Sequence, residues 1–221
     1  MEGEVWVGIA FAKEYRLMIC FQIEATEPQV AEPLIAQTEQ RIEPGSWPVW
    51  VSDGLDAYGE ALKGRHCLLQ TYPRSGRRGR PRRPKLVASR ELRYGQVVKE
   101  RDENRRVTGV YRRSVYGDVP LHKISTVYVE RHNLNLRHEN RRLTRKTIAF
   151  SKKVQGLSQQ MSVYQGHYNF VRPHRALRIS IRPNTPTLRK WQQRTPSMAA
   201  GLTDHIWSLK EFMSRKIFIN Y

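Results

Sequence analysis

Two acidic side chains occupy positions that suit phosphoryl-transfer chemistry. Asp53 follows the short apolar run Pro48–Val51, and Glu130 lies within a long segment of helical periodicity. Carboxylate oxygens are hard donors that suit Mg²⁺ or Mn²⁺. Two such ions about 3.5–4 Å apart can stabilise both the attacking and the leaving oxygens of an in-line displacement at phosphorus. The pair therefore predicts a divalent-metal site that acts on phosphodiesters.

Each acid also has a structural explanation. The order Ser52-Asp53-Gly54 is typical of a turn or a helix cap. Glu130 could form one half of a surface ion pair, with Arg137 or Lys146 as the partner. Taken singly, neither acid identifies a function.

Histidines and cysteines do not add a second metal-ligand pattern. Cys20 and Cys67 are far apart in the sequence and are expected to be buried thiols of a reducing compartment. The histidines lack close metal-ligand spacing, and we expect polar packing or phosphate contact for His66, His122, His132, His138, His167, His174 and His205.

The first elements place Asp53 at the end of a strand. The runs Val5–Ala12 and Arg16–Glu24 are rich in β-branched and aromatic residues and predict an antiparallel hairpin. A helical pattern follows over Glu27–Ile42. Pro48–Val51 predicts a short strand, which leads through Asp53 into a helix that ends near Leu62.

Helices dominate the pattern after residue 125. Before it, Arg74–Lys85 predicts a basic loop, and Tyr94–Lys99 and Val107–Val115 predict strands. The pattern from Ser125 to about Lys153 predicts one long helix, with Val129, Leu136, Leu143 and Phe150 in a core stripe that Glu130 borders. A helix over about Gly156–Phe170 follows. The last predicted helix lies around Trp207 and Phe212, with Thr203 as a potential cap, and Tyr164, Tyr168, Phe170 and Trp207 are expected to anchor these helices.

The charge balance predicts a polyanionic partner. The 221 residues include 39 Lys and Arg against 20 Asp and Glu, which gives a formal net charge of +19. The N-terminus lacks the basic and apolar pattern of a signal peptide, and no apolar run is long enough to cross a bilayer, so a cytoplasmic location is expected. Within the loop, Arg78-Gly-Arg-Pro81 is similar to an AT-hook core, although phosphate contact alone also explains it.

Several stretches resemble one known family. YVERHNLNLR (residues 128–137) and RLTRKTIAFSK (142–152) resemble the last catalytic block of the DDE transposases of short bacterial insertion sequences. WVSDGLDAY (50–58) resembles their second-aspartate block. YNFVRPH (168–174) and TPSMAAGLTD (195–204) resemble their C-terminal tail. The similarity extends from about Glu4 to Phe212.

The resemblance implies specific roles. Asp53 would be the second catalytic carboxylate and Glu130 the third, both ligands of Mg²⁺ or Mn²⁺. Asn133 and Arg137 would meet DNA phosphates or hold the glutamate. The implied reaction is cleavage of double-stranded DNA at the element ends by activated water, followed by attack of the 3′ hydroxyl on target DNA. A homo-oligomer at the nucleoid is implied for the active assembly. Further phosphate contacts are expected from Arg131, Arg141, Arg142, Arg145 and Lys146.

The family's first aspartate has no counterpart, because no aspartate precedes Asp53. The resemblance begins at the second strand, so we expect the opening strand and its acid to lie upstream of Met1. Ala12 stands where relatives often carry an aspartate, and Glu2, Glu4 and Glu14 are poor substitutes because none lies within a buried strand. We therefore expect this chain alone not to catalyse transposition.

These observations predict an α+β, ribonuclease-H-like fold whose mixed sheet is flanked by helices. Residues 1–153 would form an incomplete catalytic domain with a basic loop over 74–106, and residues 154–221 a helical extension packed on it. Two alternatives remain: a non-catalytic DNA-binding remnant of a transposase, and a basic RNA-binding protein.

Overall fold

A computed structural model gives the fold of residues 5–73, 82–144, 148, 151, 153–181 and 190–215. The elements, in chain order, are β1 (Trp6–Ala12), β2 (Leu17–Glu24), α1 (Ala31–Glu39), β3 (Val49–Asp53), α2 (Asp56–His66), β4 (Cys67–Gln70), β5 (Lys85–Ala88), β6 (Arg93–Arg101), β7 (Val107–Tyr116), α3 (Val127–Glu139), α4 (Val154–Gly166), β8 (Ile179–Ser180), β9 (Trp191–Gln192), α5 (Pro196–Ala199) and α6 (Leu209–Ser214). The predicted α+β class with a mixed sheet is confirmed.

The chain divides into two compact units. The first unit combines residues 1–30 with residues 128–221, and the second is residues 31–127. The predicted division at residue 153 stays a prediction.

In the first unit, the predicted hairpin is confirmed. Strands β1 and β2 pair antiparallel from Trp6↔Glu24 to Ala12↔Leu17. Their apolar side chains meet α3 and α4 in a core whose buried members are Met18, Leu136, Leu157, Met161 and Tyr168. The predicted anchoring role of Tyr164 and Tyr168 is confirmed, because Tyr164 packs against this core.

Two side-chain amides satisfy backbone groups of β2. Buried Asn169 accepts a hydrogen bond from Met18 N at 3.1 Å and donates one to Met18 O at 2.8 Å. Gln165 Nε2 donates to the carbonyls of Met18 and Ile19 at 3.0 and 2.8 Å. Buried backbone groups without partners are strongly destabilising, so these amides fasten the helical part of the unit to the hairpin.

The second unit contains the mixed sheet, in the order β3-β6-β7. Strand β3 pairs parallel with β6, and β6 pairs antiparallel with β7. The predicted strands over Tyr94–Lys99 and Val107–Val115 are confirmed as β6 and β7. Its buried apolar residues form two clusters, one around Tyr94 and one around Ile124. The predicted strand, Asp53 and helix succession is confirmed, with α2 running on to His66.

Part of the predicted basic loop over 74–106 is strand instead. Residues 74–81, including Arg78-Gly-Arg-Pro81, lie outside the described residues. Strand β5 follows and pairs with β4, a hairpin that the sequence analysis missed. Its side chains are mostly exposed, so the alternation that marks a half-buried strand is absent. Cys67, at the start of β4, is only half-buried, so its predicted burial is partial.

The predicted long helix from Ser125 to Lys153 is wrong. Helix α3 ends at Glu139, because buried Asn140 adopts an extended backbone (φ −120°, ψ 99°) and its side chain accepts a hydrogen bond from Arg142 N. Asn and Asp side chains that bond the local backbone compete with helix continuation in this way. A single 3-10 turn, Arg141–Leu143, follows, so Leu143 does not extend the α3 stripe, and Phe150 lies outside the described residues.

Three further boundaries differ from prediction. A 3-10 turn over Pro28–Val30 precedes α1, which ends at Glu39 before the predicted Ile42. Helix α4 begins at Val154 and passes into a π-helical turn, His167–Val171. Ser208, not Thr203, caps α6, since its side chain accepts from Glu211 N. Thr203 instead accepts a hydrogen bond from Trp207 Nε1 at 3.0 Å, and the Trp207 ring lies 4.3 Å from that of Phe170.

Candidate functional site

Asp53 is the last residue of β3 and lies beside Val97 of the parallel strand β6. It is exposed, and its Oδ1 accepts a hydrogen bond from Leu55 N at 3.3 Å. This bond shapes the turn before α2 but does not cap the helix, because Leu55 is itself the cap residue and carries no side-chain cap bond. Among the described residues, Oδ2 of Asp53 accepts no hydrogen bond. The exposed carboxylate therefore fits a hard cation.

A chain of hydrogen-bond donors runs beneath the end of β3. Arg113 donates through Nε and Nη2 to Gln96 Oε1 at 2.9 and 2.6 Å. Gln96 Nε2 donates to the Tyr94 hydroxyl at 2.8 Å, and Tyr94 lies 2.7 Å from the Ser52 hydroxyl. Ser52 donates to Asp53 O at 2.7 Å. Since Gln96 already donates to Tyr94, and Ser52 donates onward, the Tyr94 proton points to Ser52 and every step runs in one direction.

This chain holds the backbone that carries Asp53. Tyr94 and Gln96 are almost fully buried, at 1% and 2% exposure, so their polar atoms depend on these partners. Burial raises the pKa of Tyr94, and the negative charge of Asp53 acts in the same direction. Tyr94 therefore stays a neutral donor. Sequence reasoning missed Tyr94, Gln96 and Arg113, since only the pairing of β3 with β6 and β7 brings them to Ser52.

Glu130 lies in the first turn of α3 and is exposed, in the first unit. A carboxylate in the first turn interacts favourably with the helix dipole. The buried residues of α3 are His132 and Leu136, and helical geometry puts Glu130 about 160° around the axis from His132. Glu130 was predicted to lie at the border of the apolar stripe of this helix, and it lies farther from the core than that. An ion pair with Arg137 or Lys146 stays a prediction.

The residues predicted to accompany Glu130 share its exposed side. Asn133 and Arg137 lie about one and two turns further along α3, within about 60° of Glu130 around the axis. Asn133 is half-buried and Arg137 is exposed. This face can present an amide and a guanidinium beside the carboxylate.

Of the remaining predicted cations, the three that the structure describes do not continue this helical face. Arg131 is exposed on α3, whereas exposed Arg141 and Arg142 belong to the 3-10 turn beyond its end. Arg142 Nη1 also donates to Ser151 Oγ at 3.2 Å. Arg145 and Lys146 lie outside the described residues.

Asp53 belongs to the second unit and Glu130 to the first. Within the described ranges, no group of three or more His, Cys, Asp and Glu side chains is arranged to hold a metal ion. None of the helices described is long and apolar enough to cross a membrane.

Comparison with known proteins identifies the class. Residues 104–170 match a family model, which confirms the resemblance to the DDE transposases of insertion elements and supports a transposase role. That model is the one described as IS1 transposase. The matched stretch begins in the β6–β7 turn and ends in the π-helical turn, so it includes Glu130, Asn133 and Arg137 but not Asp53. No curated protein and no solved structure matches the chain.

Proposed function

We propose that the chain is a catalytically incomplete form of a transposase, a protein that acts in DNA transposition through divalent-metal-dependent cleavage and joining of double-stranded DNA. No aspartate precedes Asp53 to supply the first carboxylate of such a site. The observation that carries the proposal is the family match across α3, the helix of Glu130. The net charge of +19 supports a polyanionic substrate. Action on chromosomal DNA would place the chain at the nucleoid, and the joining of two element ends calls for more than one copy.

The proposed arrangement is ribonuclease-H-like. It is supported by the parallel pair β3–β6, by the acid at the carboxyl end of β3, and by a second acid on a later helix. In that arrangement Asp53 and Glu130 share a site for Mg²⁺ or Mn²⁺. The predicted catalytic domain over 1–153, with 154–221 packed on it, belongs to the same proposal.

Each side chain has a definite part in this proposal. Asp53 and Glu130 hold the ion, which when bound supplies Lewis-acid stabilisation of the oxygens around the phosphorus. The donor chain from Arg113 to Ser52 fixes the backbone of Asp53, so its carboxylate does not have to be ordered when DNA binds. Asn133 and Arg137 donate to phosphate oxygens next to the scissile bond.

The test is a cleavage assay with the chain alone and with a version extended upstream to include a first aspartate. Supercoiled plasmid and end-labelled duplex carrying element ends are incubated with Mg²⁺, Mn²⁺ or chelator, and cleavage is expected only from the extended version. In that version Asp53→Asn and Glu130→Gln should each abolish metal-dependent cleavage while DNA affinity is retained. Asp118→Asn and Glu103→Gln, which neutralise other exposed carboxylates, are the matched controls and should cleave like the unmodified extended version.

Three results would contradict parts of the proposal. Cleavage that survives Asp53→Asn or Glu130→Gln would remove that residue from the metal site. Robust metal-dependent cleavage by the chain alone would refute its catalytic incompleteness, and DNA binding without cleavage by the extended version would leave a DNA-binding protein and refute the catalytic part. Selective binding of RNA over duplex DNA would refute the substrate class.

A further inference from the structure

Arg16 is held in a conformation that non-glycine residues rarely adopt. It lies in the β1–β2 turn with φ +54°, in the left-handed region. For a residue with a β-carbon this conformation costs about 1–2 kcal/mol. The guanidinium carbon lies 3.8 Å from the centroid of the Tyr128 ring, at the start of α3. The strained turn and the cation–π contact together fix the position of this positive charge.

Arg16 lacks the acidic partner that other well-placed arginines have. In the ranges that the structure covers, no carboxylate lies within ion-pair distance of its guanidinium. By contrast, Arg65 pairs with both Glu32 and Glu39, and Arg172 pairs with Glu139. A fixed cation without a carboxylate is a favourable place for an external anion.

His174 adds a hydrogen-bond donor to the same region. Its backbone N donates to Arg194 O at 2.9 Å, and its Nδ1 accepts from Ala176 N at 3.3 Å. Because Nδ1 accepts, the proton of the neutral ring is on Nε2. Nε2 has no hydrogen-bond partner among the described residues. Burial lowers the pKa of His174, and the positive charges of Arg16 and Arg172 act in the same direction.

The Arg16 cluster is the contact of Arg16 with Tyr128 in the first unit. His174 is grouped with it because the charge of Arg16 contributes to the direction of its pKa shift. The cluster offers a guanidinium without a carboxylate and an imidazole N–H without an acceptor. A metal ion would be repelled by these groups, whereas an anion with several oxygen acceptors satisfies both. The Tyr128 ring is 38% exposed and lies at the same end of α3 as Glu130, so the surface is open to a large ligand.

We infer that the Arg16 cluster binds a backbone phosphate of DNA and thereby positions the strand at the N-terminal end of α3. This inference rests on the proposed function for the identity of the ligand. The Arg16 cluster would add a phosphate contact to those proposed for the arginines of α3 and of the turn that follows it. Arg16 donates to the phosphate oxygens, His174 donates through Nε2, and Tyr128 holds the guanidinium in place.

Arg16→Gly is the decisive variant, because glycine adopts positive φ without strain and keeps the turn while the guanidinium is removed. Arg105→Gly is its matched control. Arg105 is the other non-glycine residue with positive φ (62°) in the described ranges, and it lies in the β6–β7 turn of the second unit. Both variants lose one positive charge, so a difference between them reports position and not net charge.

Duplex DNA affinity is measured by fluorescence anisotropy over a salt series. Arg16→Gly should weaken binding about five- to tenfold and reduce the slope of log K against log salt by about one. Arg105→Gly should change affinity less than about twofold. An equal loss in both variants, or no loss in Arg16→Gly while the parent chain binds DNA, would overturn the inference. Thermal unfolding of Arg16→Gly at or above the parent Tm confirms that the turn is intact.

A second measurement distinguishes DNA from a small anion. The pKa of His174, followed by NMR of its ring protons, should rise when a short duplex is added, because a phosphate favours the protonated ring. A rise with inorganic phosphate but not with duplex would make this a small-anion site and refute the DNA contact. Loss of cleavage activity does not affect these readouts. Failure of the catalytic proposal can therefore be separated from failure of this inference.

Discussion

The hydroxyl oxygens of Ser52 and Tyr94 lie 2.7 Å apart, and this contact joins the strand that ends in Asp53 to its parallel neighbour. It is the central step of the donor chain that begins at Arg113. Because Tyr94 is buried, no water can replace its proton if the hydroxyl is removed. The position of Asp53 is therefore linked to a side chain deep in the sheet.

Tyr94→Phe should lower the free energy of unfolding by about 1–3 kcal/mol, since Gln96 and Ser52 each lose a buried partner. If the catalytic proposal holds, metal-dependent cleavage should also fall while DNA affinity is unchanged. Chemical denaturation and the plasmid assay measure the two effects. Tyr116→Phe is the control, because the Tyr116 ring stacks on Tyr94 with centroids 6.1 Å apart but its hydroxyl is outside the donor chain. Equal effects of the two variants would refute a special role for Tyr94.

Protonation of His132 should destabilise the first unit. His132 is 2% exposed, lies between the rings of Phe11 and Tyr168, and has no hydrogen-bond partner for either ring nitrogen among the described residues. Burial lowers its pKa from 6.5 to about 4; the negative charge of Glu139 acts in the opposite direction, and His174 and Arg172 lower the pKa slightly further. The unfolded chain therefore takes up a proton that the folded chain does not. The free energy of unfolding should be at its full value above about pH 6.5 and should fall by up to about 3 kcal/mol as the pH drops towards 4.

Urea denaturation between pH 7.5 and 4 tests this dependence. His132→Phe should remove most of the decline, because phenylalanine does not titrate and fits an aromatic environment. His138→Gln, which replaces an exposed histidine on the same helix, should leave the decline unchanged. A parent chain whose stability is flat between pH 6.5 and 4 would contradict the assignment.

Asn169 should be one of the most sensitive positions of the first unit. Asn169→Ala leaves Met18 N without its side-chain acceptor and removes one of the two amide donors to Met18 O, the other being Gln165, and should cost about 2 kcal/mol in unfolding free energy. Asn169→Asp keeps the acceptor for Met18 N but loses the donor to Met18 O, so it should not rescue stability. Asn135→Ala on α3 is the control and should change stability by less than about 0.5 kcal/mol. A small effect of Asn169→Ala would show that Gln165 alone fastens the hairpin.

Duplex DNA binding should be strongly salt-dependent and weakly sequence-dependent. If six or more phosphates are contacted, affinity should fall about a thousandfold between 50 and 200 mM salt. Replacing Arg131, Arg137, Arg141 and Arg142 together by Gln should weaken binding equally on unrelated sequences. A flat salt titration, or unchanged affinity of this variant, would remove these arginines from the DNA surface.

Local patterns predicted the elements around Asp53 well. The alternation and turn residues of β1–β2, and the apolar strand before Ser52-Asp53-Gly54, act over a few residues and do not depend on distant partners. The strands β6 and β7 were likewise predicted from their own residues, with a charged turn between them. Asp53 was therefore correctly placed at a strand end.

Features that depend on distant contacts were missed. The residues after Asn140 keep a helical pattern, and α3 ends there because Asn140 is buried, with Nδ2 lying 3.9 Å from Met161 Sδ. His132 gave no signal of burial, because its aromatic partners come from β1 and from the end of α4. The Arg16 cluster likewise forms only when the hairpin turn meets the start of α3. Such contacts are set by packing and not by local propensity.

The two-segment construction of the first unit has a consequence for synthesis. Met18 and its partner Asn169 are 151 positions apart. At 5–20 residues per second, roughly 8–30 s separate their appearance during translation. An isolated two-stranded hairpin is at best marginally stable in water, so β1 and β2 must wait for α3 and α4 before they gain a core. Residues 31–127 are contiguous and complete their own clusters during that interval. We therefore expect residues 31–127 to fold first in the nascent chain, and the N-terminal hairpin to pack into its core last.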